Sequence, residues 1–370
     1  MTRFDALDAA KGLEPTAKNI SRLAQIYDQE IASWAFNQWA LRARAKKKFA
    51  NADAMLFTPV GLEQASHEAV AAYHASLFPK EVRVADLTCG IGGDLIALSK
   101  RGEAVGFEKE SITAEYAQHN APDAEVRVAD CMEAEWDFNH AFADPSRRSG
   151  TTRTLNPNEF EPNPSDLAAR MRGLESGCMK LSPMLLDDYL LSISPSIEFV
   201  SFGWECREAL ALFGKSFAPG TFAIKVETRE SLSEGGFAMR TESPGAIIYE
   251  ADPAAIRAHC LPALCKELDA ELLGDSNGYL TSPALQSSSW VRAYRVLEFG
   301  AFDIKRVRGQ LKAYGGGVPE VKSRVKDDVR EIGKRLSSEG DAALVVLLYP
   351  VGKSIKFAIA KSLQITADSV

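Results

Sequence analysis

The feature that most constrains this chain is a glycine-rich turn between an apolar strand and a helix, in residues 84–94 (VADLTCGIGGD). Glycine adopts positive φ angles and lets the backbone approach a ligand closely, and the free N–H groups at the start of the following helix bind polar or anionic atoms. The pattern therefore predicts a nucleotide-type binding loop. Its candidate contacts are the acid that ends the strand and the loop residues: Asp86, Thr88, Cys89, Gly90, Gly92 and Gly93.

Two kinds of nucleotide cofactor compete for such a loop. A dinucleotide site needs a third glycine or alanine, so that the helix packs closely beneath the pyrophosphate. This chain has Leu95 at that position, which disfavours a nicotinamide-dependent oxidoreductase. The alternative is a nucleotide-type cofactor without a pyrophosphate.

The loop lies in a regular alternation of strands and helices. Apolar strands are predicted at Val82–Leu87, Ala104–Phe107, Glu125–Val128 and Ala141–Ala143, with helical stretches between them. Further strand candidates are Cys178–Leu181, Phe199–Phe202 and Phe222–Val226. Strands that alternate with helices in this way indicate an α/β fold with a doubly wound, Rossmann-like parallel sheet.

Acids follow the second and third strands as well. Glu108 ends the second strand about 20 residues after the loop, where an acid can accept hydrogen bonds from both ribose hydroxyls. Asp130 follows the third strand, where a carboxylate can accept from an adenine amino group. Acids at strand ends are also ordinary turn residues, but the three acids Asp86, Glu108 and Asp130 in register favour a ligand site.

The fourth strand continues into Asp144, Pro145, Ser146, Arg147 and Arg148. Ligands of doubly wound sheets bind at the carboxyl ends of the strands, beside the point where the strand order reverses, so this segment is the candidate reaction centre. The same residues also suit an ordinary turn. The arginines either stack on a base or hold a phosphate, or they form structural ion pairs.

Composition narrows the classes of protein that this chain can be. The six cysteines are scattered without the paired spacing of a zinc site, so we expect no metal and a reducing compartment. The start of the chain lacks the pattern of a secretory signal, and the sequence has no apolar run of membrane-spanning length. We therefore expect a cytoplasmic protein without a membrane partner.

Charge and periodicity divide the chain into regions. Residues 1–77 are predicted to be a helical N-terminal region, in which helices over 19–49 end in a basic stretch, 42–48, that is either a solvated face or a phosphate-contacting patch. Residues 78–274 form the α/β domain and 275–289 a linker rich in Ser, Gly, Asn and Pro. Residues 290–370 predict a small α+β domain of ferredoxin-like type.

The net charge of −7 disfavours a protein that coats nucleic acid indiscriminately. The charge is uneven, because residues 290–370 carry 15 Lys and Arg against 9 Asp and Glu, whereas the rest carries 28 against 41. A basic C-terminal module on an acidic body suggests an anionic partner.

These pieces together resemble the bacterial class I S-adenosylmethionine-dependent methyltransferases that carry a C-terminal THUMP-like domain and an Asp-Pro-x-Arg-Arg motif. The matching segments extend over nearly the whole chain: 57–65, 86–94, 144–148, 180–183, 279–282 and the basic C-terminal module. The catalytic half is also similar to trimethylguanosine synthase and related RNA N-methyltransferases. In that class a segment upstream of the glycine loop contacts the cofactor, and Phe57, Thr58 and Gln64 occupy the corresponding place, although a hydrophobic N-terminal cap explains them equally.

The resemblance implies that S-adenosylmethionine binds the loop with Asp86 at its methionine end, Glu108 at the ribose and Asp130 at the adenine. The methyl group would pass in line to a nitrogen whose N–H groups Asp144 and the neighbouring carbonyls accept. THUMP domains bind tRNA in other enzymes, so the expected substrate is a nitrogen of tRNA or rRNA. The oligomeric state stays open.

One departure from the family pattern keeps alternatives open. N-methyltransferases usually have Asp, Asn or Ser, then Pro-Pro and an aromatic residue whose ring stacks on the target base, whereas this chain has Ser146 and Arg147 at the last two positions. The guanidinium plane of Arg147 can replace the ring. The alternatives are a methyltransferase of a protein or small molecule, and a non-catalytic RNA-binding protein that retains the cofactor pocket.

Overall fold

The computed structural model describes residues 2–149, 152–275, 277–326 and 328–364, and of residues 148, 149, 152 and 153 only the backbone. The chain divides into two compact units. The first comprises Met1–Ser196 and Leu210–Ala218, and the second comprises Ile197–Ala209 and Pro219–Val370. Within the described residues, none of the helices combines the length and the apolar character that crossing a membrane requires.

The helices and strands are numbered in chain order. The helices are α1 (Arg3–Ala10), α2 (Ala17–Tyr27), α3 (Gln29–Ala45), α4 (Pro59–Gln64), α5 (Glu68–Ser76), α6 (Leu95–Ser99), α7 (Ser111–Asn120), α8 (Pro164–Met171), α9 (Asp187–Ile193), α10 (Pro253–Arg257), α11 (Leu261–Glu267), α12 (Ile304–Ala313) and α13 (Val329–Leu336). The strands are β1 (Val84–Asp86), β2 (Ala104–Glu108), β3 (Glu125–Val128), β4 (His140–Ala143), β5 (Arg148–Ser149), β6 (Thr152–Arg153), β7 (Ser176–Leu181), β8 (Ser196–Ser201), β9 (Cys206–Phe213), β10 (Gly220–Lys225), β11 (Glu230–Ser233), β12 (Arg240–Thr241), β13 (Ile247–Ala251), β14 (Glu271–Leu273), β15 (Tyr279–Ser282), β16 (Val291–Ala301), β17 (Glu320–Ser323), β18 (Val345–Val351) and β19 (Ser354–Leu363).

The first unit contains the parallel sheet that the alternation predicts. Its strand order is β7-β4-β1-β2-β3, and each neighbouring pair in that series is parallel. Every residue of β1 and β4 is buried, as expected where helices cover both faces of a sheet. The chain leaves β1 toward β2 on one side and returns to β4 on the other, so the strand order reverses between β1 and β4 and a crevice opens at their carboxyl ends.

The N-terminal region is helical, and no strand occurs among residues 2–77. The one or two helices expected over 19–49 are two, divided at Asp28, which has a φ of 96° and caps α3 by accepting a hydrogen bond from the Ile31 amide at 2.8 Å. The indole N–H of Trp34 donates to the hydroxyl of Tyr116 in α7 at 2.7 Å. These helices therefore pack into the same unit as the parallel sheet.

The second unit contains an eight-stranded sheet in the order β12-β14-β15-β13-β16-β19-β18-β17. Its core includes large side chains of the central strands, among them the fully buried Tyr279, Tyr294 and Tyr349. The strands β8, β10 and β11 and the first half of β9 also belong to this unit, in the order β11-β10-β8-β9.

Two predictions about the C-terminal half are wrong. The six elements expected after residue 290 are present, but they run strand–helix–strand–helix–strand–strand, from β16 to β19. A ferredoxin-like fold requires strand–helix–strand–strand–helix–strand. These strands also continue a sheet that begins with β12, so residues 290–370 do not form a sheet of their own.

The predicted linker 275–289 is likewise incorrect, because it contains the fully buried strand β15. Its Ser and Thr residues have the composition of a loop, yet their hydroxyls find partners inside the sheet. Thr281 donates to the Ile247 carbonyl at 2.7 Å, and Ser282 donates to the Tyr249 hydroxyl at 3.2 Å. The division between the units thus falls earlier than the expected boundary at 274, around β8 and β9.

Candidate functional site

The glycine loop adopts the backbone conformation that its sequence predicts. Gly90 and Gly92 have φ angles of 51° and 86°, which residues with a Cβ rarely adopt. A Cβ on Gly92 would lie 3.3 Å from the Cα of Ala117 in α7, whereas a Cβ on Gly90 would meet nothing within 4 Å. Gly92 is therefore required by packing, and Gly90 faces open space where a ligand can approach the backbone.

Asp86, at the end of β1, is buried beneath this loop with 1% of its surface exposed. It accepts a hydrogen bond from the Thr88 amide at 3.2 Å. Burial raises the pKa of Asp86 well above its ordinary value, and the nearby carboxylates of Asp94, Asp144 and Glu108 raise it further. A cationic ligand group is what this acidic cluster would stabilise.

Thr88 joins the loop to the fourth strand. Its hydroxyl oxygen accepts a hydrogen bond from the Asp144 amide at 2.7 Å, and the Leu87 amide donates to the Phe142 carbonyl at 2.9 Å. The ends of β1 and β4 are thereby held side by side. The structure thus brings the cofactor loop and the candidate reaction centre together.

Glu108 and Asp130 follow β2 and β3, as predicted. Glu108 accepts from the Glu110 amide at 2.8 Å, and burial raises the pKa of its carboxyl. Asp130 accepts from the Met132 amide at 2.8 Å and pairs with Lys109 at 2.8 Å. The hydrogen bond from Lys109 lowers the pKa of Asp130, so its carboxylate stays ionised and acts as an acceptor.

The segment after β4 is fixed mainly through its backbone. The amide and carbonyl of Ser146 exchange hydrogen bonds with Glu161 at 2.8 and 3.1 Å, and Pro145 is buried. The Arg147 carbonyl accepts from the Thr154 amide at 2.9 Å, and its side chain is half-buried. The side chain of Arg148 lies outside the described part of the chain.

The upstream segment divides into structural residues and one that reaches the site. Phe57 is 1% exposed and packs in a core cluster with Ile91, and Thr58 caps α4 by accepting from the Gly61 amide at 2.9 Å. Gln64 is exposed, and its side-chain amide donates to the Ser146 hydroxyl at 3.4 Å. Of the three, only Gln64 contacts the reaction centre.

The basic stretch at the end of α3 is partly internal. Arg42 is 5% exposed and donates to the Met55 carbonyl at 2.9 Å. The Lys48 ammonium donates to three carbonyls around the end of α4, those of Leu62, Glu63 and Ala65, at 2.9, 2.9 and 2.6 Å. Lys48 therefore fixes the end of α4, a role that neither sequence interpretation included.

Sequence reasoning also missed a set of polar residues around Asp144. The Lys180 ammonium, at the end of β7, lies 2.6 Å from a carboxylate oxygen of Asp144 and donates to the Ser66 hydroxyl at 3.2 Å. Nδ1 of His74, in α5, lies 2.7 Å from a carboxylate oxygen of Asp94. The segment 180–183 was noted only as part of a family pattern, and nothing local in the sequence connects it with His74.

Asp94 links the two groups. Burial alone would raise its pKa, but the charge and hydrogen bond of His74 outweigh burial, and Lys180 and Ser66 contribute in the same direction, so the pKa of Asp94 lies below its ordinary value. Asp94 is 8% exposed and His74 is fully buried. An ionised carboxylate is thus held inside the unit, next to the reaction centre.

The cysteines near the site are buried thiols. Burial raises the pKa of Cys131 to about 12 and places that of Cys89 well above its ordinary value. The Cys89 side chain packs over Gly106, whose Cβ would lie 2.8 Å from the Cys89 sulfur. Because the thiolate is the reactive form, neither residue is placed to act as a nucleophile.

No family model matches the chain. Two Mycobacterium tuberculosis proteins, from strains CDC 1551 / Oshkosh and ATCC 25618 / H37Rv, are each 27% identical to it over 343 residues, which cover 87% of this chain and 93% of theirs. Both are described as uncharacterized S-adenosylmethionine-dependent methyltransferases. A protein of Porphyromonas gingivalis W83, solved as a candidate methyltransferase, superimposes with a TM-score of 0.79 and 18% identity and covers 98% of each chain.

The fold is that of a methyltransferase. The strand order, the glycine loop after β1 and the likeness over nearly the full chain agree on this point. The α/β prediction with a Rossmann-like sheet is therefore confirmed.

Proposed function

We propose that this protein transfers the methyl group of S-adenosylmethionine to a nitrogen of RNA, in tRNA or rRNA. The observation that carries the proposal is the position of Asp144. Its backbone is joined to the cofactor loop through Thr88, and its carboxylate is 31% exposed at the point where the strand order reverses.

The chain is a class I S-adenosylmethionine-dependent methyltransferase, and S-adenosylmethionine is its cofactor. The residues fit this group. Gly90 leaves open space against the backbone, Asp86 supplies a buried hydrogen-bonding acid, and Glu108 and Asp130 present carboxylates at successive strand ends. The bound cofactor supplies an electrophilic methyl group on a sulfonium.

The chain's own residues bind and orient the reactants. Glu108 accepts the ribose hydroxyl protons and Asp130 the adenine amino protons, while Asp86 acts at the methionine end. Asp144 accepts the N–H bonds of the nitrogen to be methylated, directs its lone pair and stabilises the positive charge that develops there. Gln64 and Ser146 line the same side of the site.

A nitrogen acceptor agrees with the state of the thiols. Methylation at a pyrimidine ring carbon by way of a covalent adduct requires an activated nucleophile, and burial raises the pKa of both Cys89 and Cys131. A nitrogen lone pair attacks without such help. The residues at this site therefore favour direct displacement on nitrogen.

An RNA substrate is supported by a basic surface in the second unit, formed by α12 and α13. The apolar face of each helix is buried, through Val307 and Leu311 in α12 and through Ile332 and Leu336 in α13. The outward side carries seven exposed cations: Lys305, Arg306, Arg308, Lys312, Arg330, Lys334 and Arg335. Clustered Lys and Arg on one face are the electrostatic footprint of phosphate backbone binding, which is the role that a THUMP-like assignment would give this region.

The test is transfer of labelled methyl from S-adenosylmethionine into total RNA of a strain that lacks this protein. We expect labelled RNA with the wild-type protein, none with Asp144→Ala, and a methylated nucleoside that mass spectrometry identifies. Replacing Arg308 and Lys312 with glutamate should weaken RNA binding and leave cofactor binding intact. Label that enters protein or a small molecule instead of RNA contradicts the substrate, and cofactor binding without turnover on any of them contradicts catalysis.

A further inference from the structure

A continuous chain of polar contacts leads from the interior of the first unit to Asp144. His74 contacts Asp94 at 2.7 Å, and Asp94 accepts a hydrogen bond from the Ser66 hydroxyl. Ser66 in turn accepts from the Lys180 ammonium at 3.2 Å, and Lys180 contacts Asp144 at 2.6 Å. The residues come from α5, the glycine loop, the segment after α4, β7 and the end of β4.

Along this series of contacts, exposure to solvent decreases from Asp144 toward the interior of the unit. Asp144 has 31% of its side chain exposed and Lys180 15%, while Ser66 and Asp94 are 7% and 8% exposed and His74 is fully buried. Of the two carboxylates in this series of contacts, Asp144 is thus the one that is exposed toward a substrate. A buried lysine that has lost its water needs close partners, and Asp144 and Ser66 are two of them.

At its interior end, this series of contacts packs against β4. The His74 ring stacks on Phe142 with 4.9 Å between ring centroids. Phe142 lies in β4, two residues before Asp144, so the helix that carries His74 also supports the strand that carries Asp144. The Asp94 side chain makes no capping hydrogen bond to α6, and its carboxylate is directed to His74 and Ser66 instead.

We propose that Lys180 is a positioning residue for methyl transfer: held by Ser66 and Asp94, it fixes the Asp144 carboxylate in one orientation toward the acceptor. The proposal rests on the proposed function for the part that Asp144 plays. Lys180 itself does not need to touch the acceptor. It supplies a positive charge that balances Asp144 until the nitrogen becomes positively charged during transfer.

The charge of this pair gives a test that needs no acceptor. S-adenosylmethionine carries a positive sulfonium, and its demethylated product S-adenosylhomocysteine does not. Lys180→Met removes one positive charge beside the site, so calorimetry should show the preference for S-adenosylmethionine over S-adenosylhomocysteine rising about three- to tenfold. Asp144→Asn should shift the preference in the opposite direction, and the double variant should return close to wild type.

A positioning role also predicts a specific kinetic pattern. Lys180→Met should lower kcat at least about tenfold with little change in KM for RNA, and Lys180→Arg should restore most of the activity because it keeps the charge. Combined with Asp144→Asn, Lys180→Met should cause no further loss, since both changes remove the same interaction. Ser66→Ala should give a smaller loss, because it removes only the link to Asp94.

Lys322→Met is the matched control. Lys322 is a 14% exposed lysine that pairs with Glu250 at 2.9 Å, and it belongs to the second unit. Its loss should leave the cofactor preference unchanged. The inference is overturned if Lys180→Met leaves the preference at the wild-type value, or if Lys180→Arg is no more active than Lys180→Met.

Failure of the proposed function gives a different result. A wild-type protein that binds S-adenosylmethionine but labels no RNA contradicts the substrate assignment, and the cofactor preference then decides the inference by itself. A wild-type protein that binds neither cofactor nor product overturns both.

Discussion

Two lysine–aspartate pairs lie at the ends of neighbouring strands, one on the cofactor side of the site and one on the reaction side. Lys109 and Asp130 are 2.8 Å apart, and Lys180 and Asp144 are 2.6 Å apart. Lys109 is 44% exposed and also contacts the exposed Glu161, whereas Lys180 is 15% exposed and is held from within by Ser66. The two pairs therefore have similar N–O distances but contribute differently to stability.

The two pairs differ in whether water can solvate one charge after its partner is removed. An exposed pair contributes up to about 1 kcal/mol, because water solvates either charge if the other is lost. Removing one partner of a buried pair costs about 3–5 kcal/mol, because the remaining charge has no substitute. We therefore expect the cofactor side to tolerate changes of charge that the reaction side does not.

The largest expected contrast is in catalysis. Asp144→Asn should lower kcat about 10²- to 10³-fold, since a preorganised acceptor for developing charge contributes on that scale, while the Kd for S-adenosylmethionine rises only about three- to tenfold. Asp130→Asn should raise that Kd about tenfold, the loss expected for one hydrogen bond to a charged group. Steady-state kinetics with calorimetry separates the two, and equal effects on kcat would remove the distinction between the sides.

The next contrast is in stability. Asp144→Asn leaves the 15% exposed Lys180 without its carboxylate and should destabilise the first unit by about 3 kcal/mol. Asp130→Asn leaves the 44% exposed Lys109, so it should cost at most about 1 kcal/mol, and that cost should vanish in high salt. Hydrogen exchange of the β4 amides measures the local free energy of opening in both variants. A salt-sensitive loss in Asp144→Asn would show that solvent solvates Lys180 as well.

Within the cofactor loop, two glycines allow a matched comparison. Gly90→Ala and Gly92→Ala both place a side chain at positive φ, which costs about 1 kcal/mol or more. Only Gly92→Ala also forces a Cβ to 3.3 Å from the backbone of Ala117, so it should lose about 1–2 kcal/mol more in thermal unfolding. Gly90→Ala should weaken cofactor binding more strongly than its loss of stability explains.

The smallest contrast concerns pH. Burial raises the pKa of Glu108, so on acidification it is protonated before Asp130, whose pKa the hydrogen bond from Lys109 lowers. Protonated Glu108 accepts less strongly from the ribose, so cofactor affinity should fall as the pH drops through the raised pKa, by about tenfold or less. Glu108→Gln should bind more weakly at neutral pH and lose this dependence, which calorimetry at several pH values checks.

Glu108 and Asp130 make the stability of the fold depend on pH in opposite directions. Because the pKa of Glu108 is raised on folding, its ionisation opposes the folded state, and its contribution to stability falls as the pH rises through its ordinary value. The pKa of Asp130 is lowered on folding, so its contribution is present above the ordinary value and is lost as the pH falls through the lowered one.

The cofactor side could be predicted from the sequence because its signals are local. The loop from Asp86 to Asp94, with Glu108 and Asp130 at the next strand ends, is readable from strand periodicity and glycine placement. The structure places each of them where the alternation of strands implies. The parallel sheet follows for the same reason, since each strand has its own hydrophobic run.

Only part of the reaction side could be predicted from the sequence. Asp144 follows a strand and was predicted, but Lys180, Ser66 and His74 are separated from it by 36 to 78 residues of chain and share no motif. Their proximity depends on the packing of α5 and β7 against β4, which no local pattern encodes. The buried strand β15 was missed for a related reason, because its hydroxyl-bearing residues have the composition of a loop.

The three hydrogen bonds that Lys48 donates to backbone carbonyls have a consequence for acetylation of this lysine. Those carbonyls end at Ala65, immediately before Ser66. Acetylation of Lys48 would leave at most one N–H to serve three oxygens, so the segment would loosen at the joint that anchors Lys180. Acetylation of Lys48, a residue that contacts neither reactant, would thus affect methyl transfer because it releases the backbone next to Ser66.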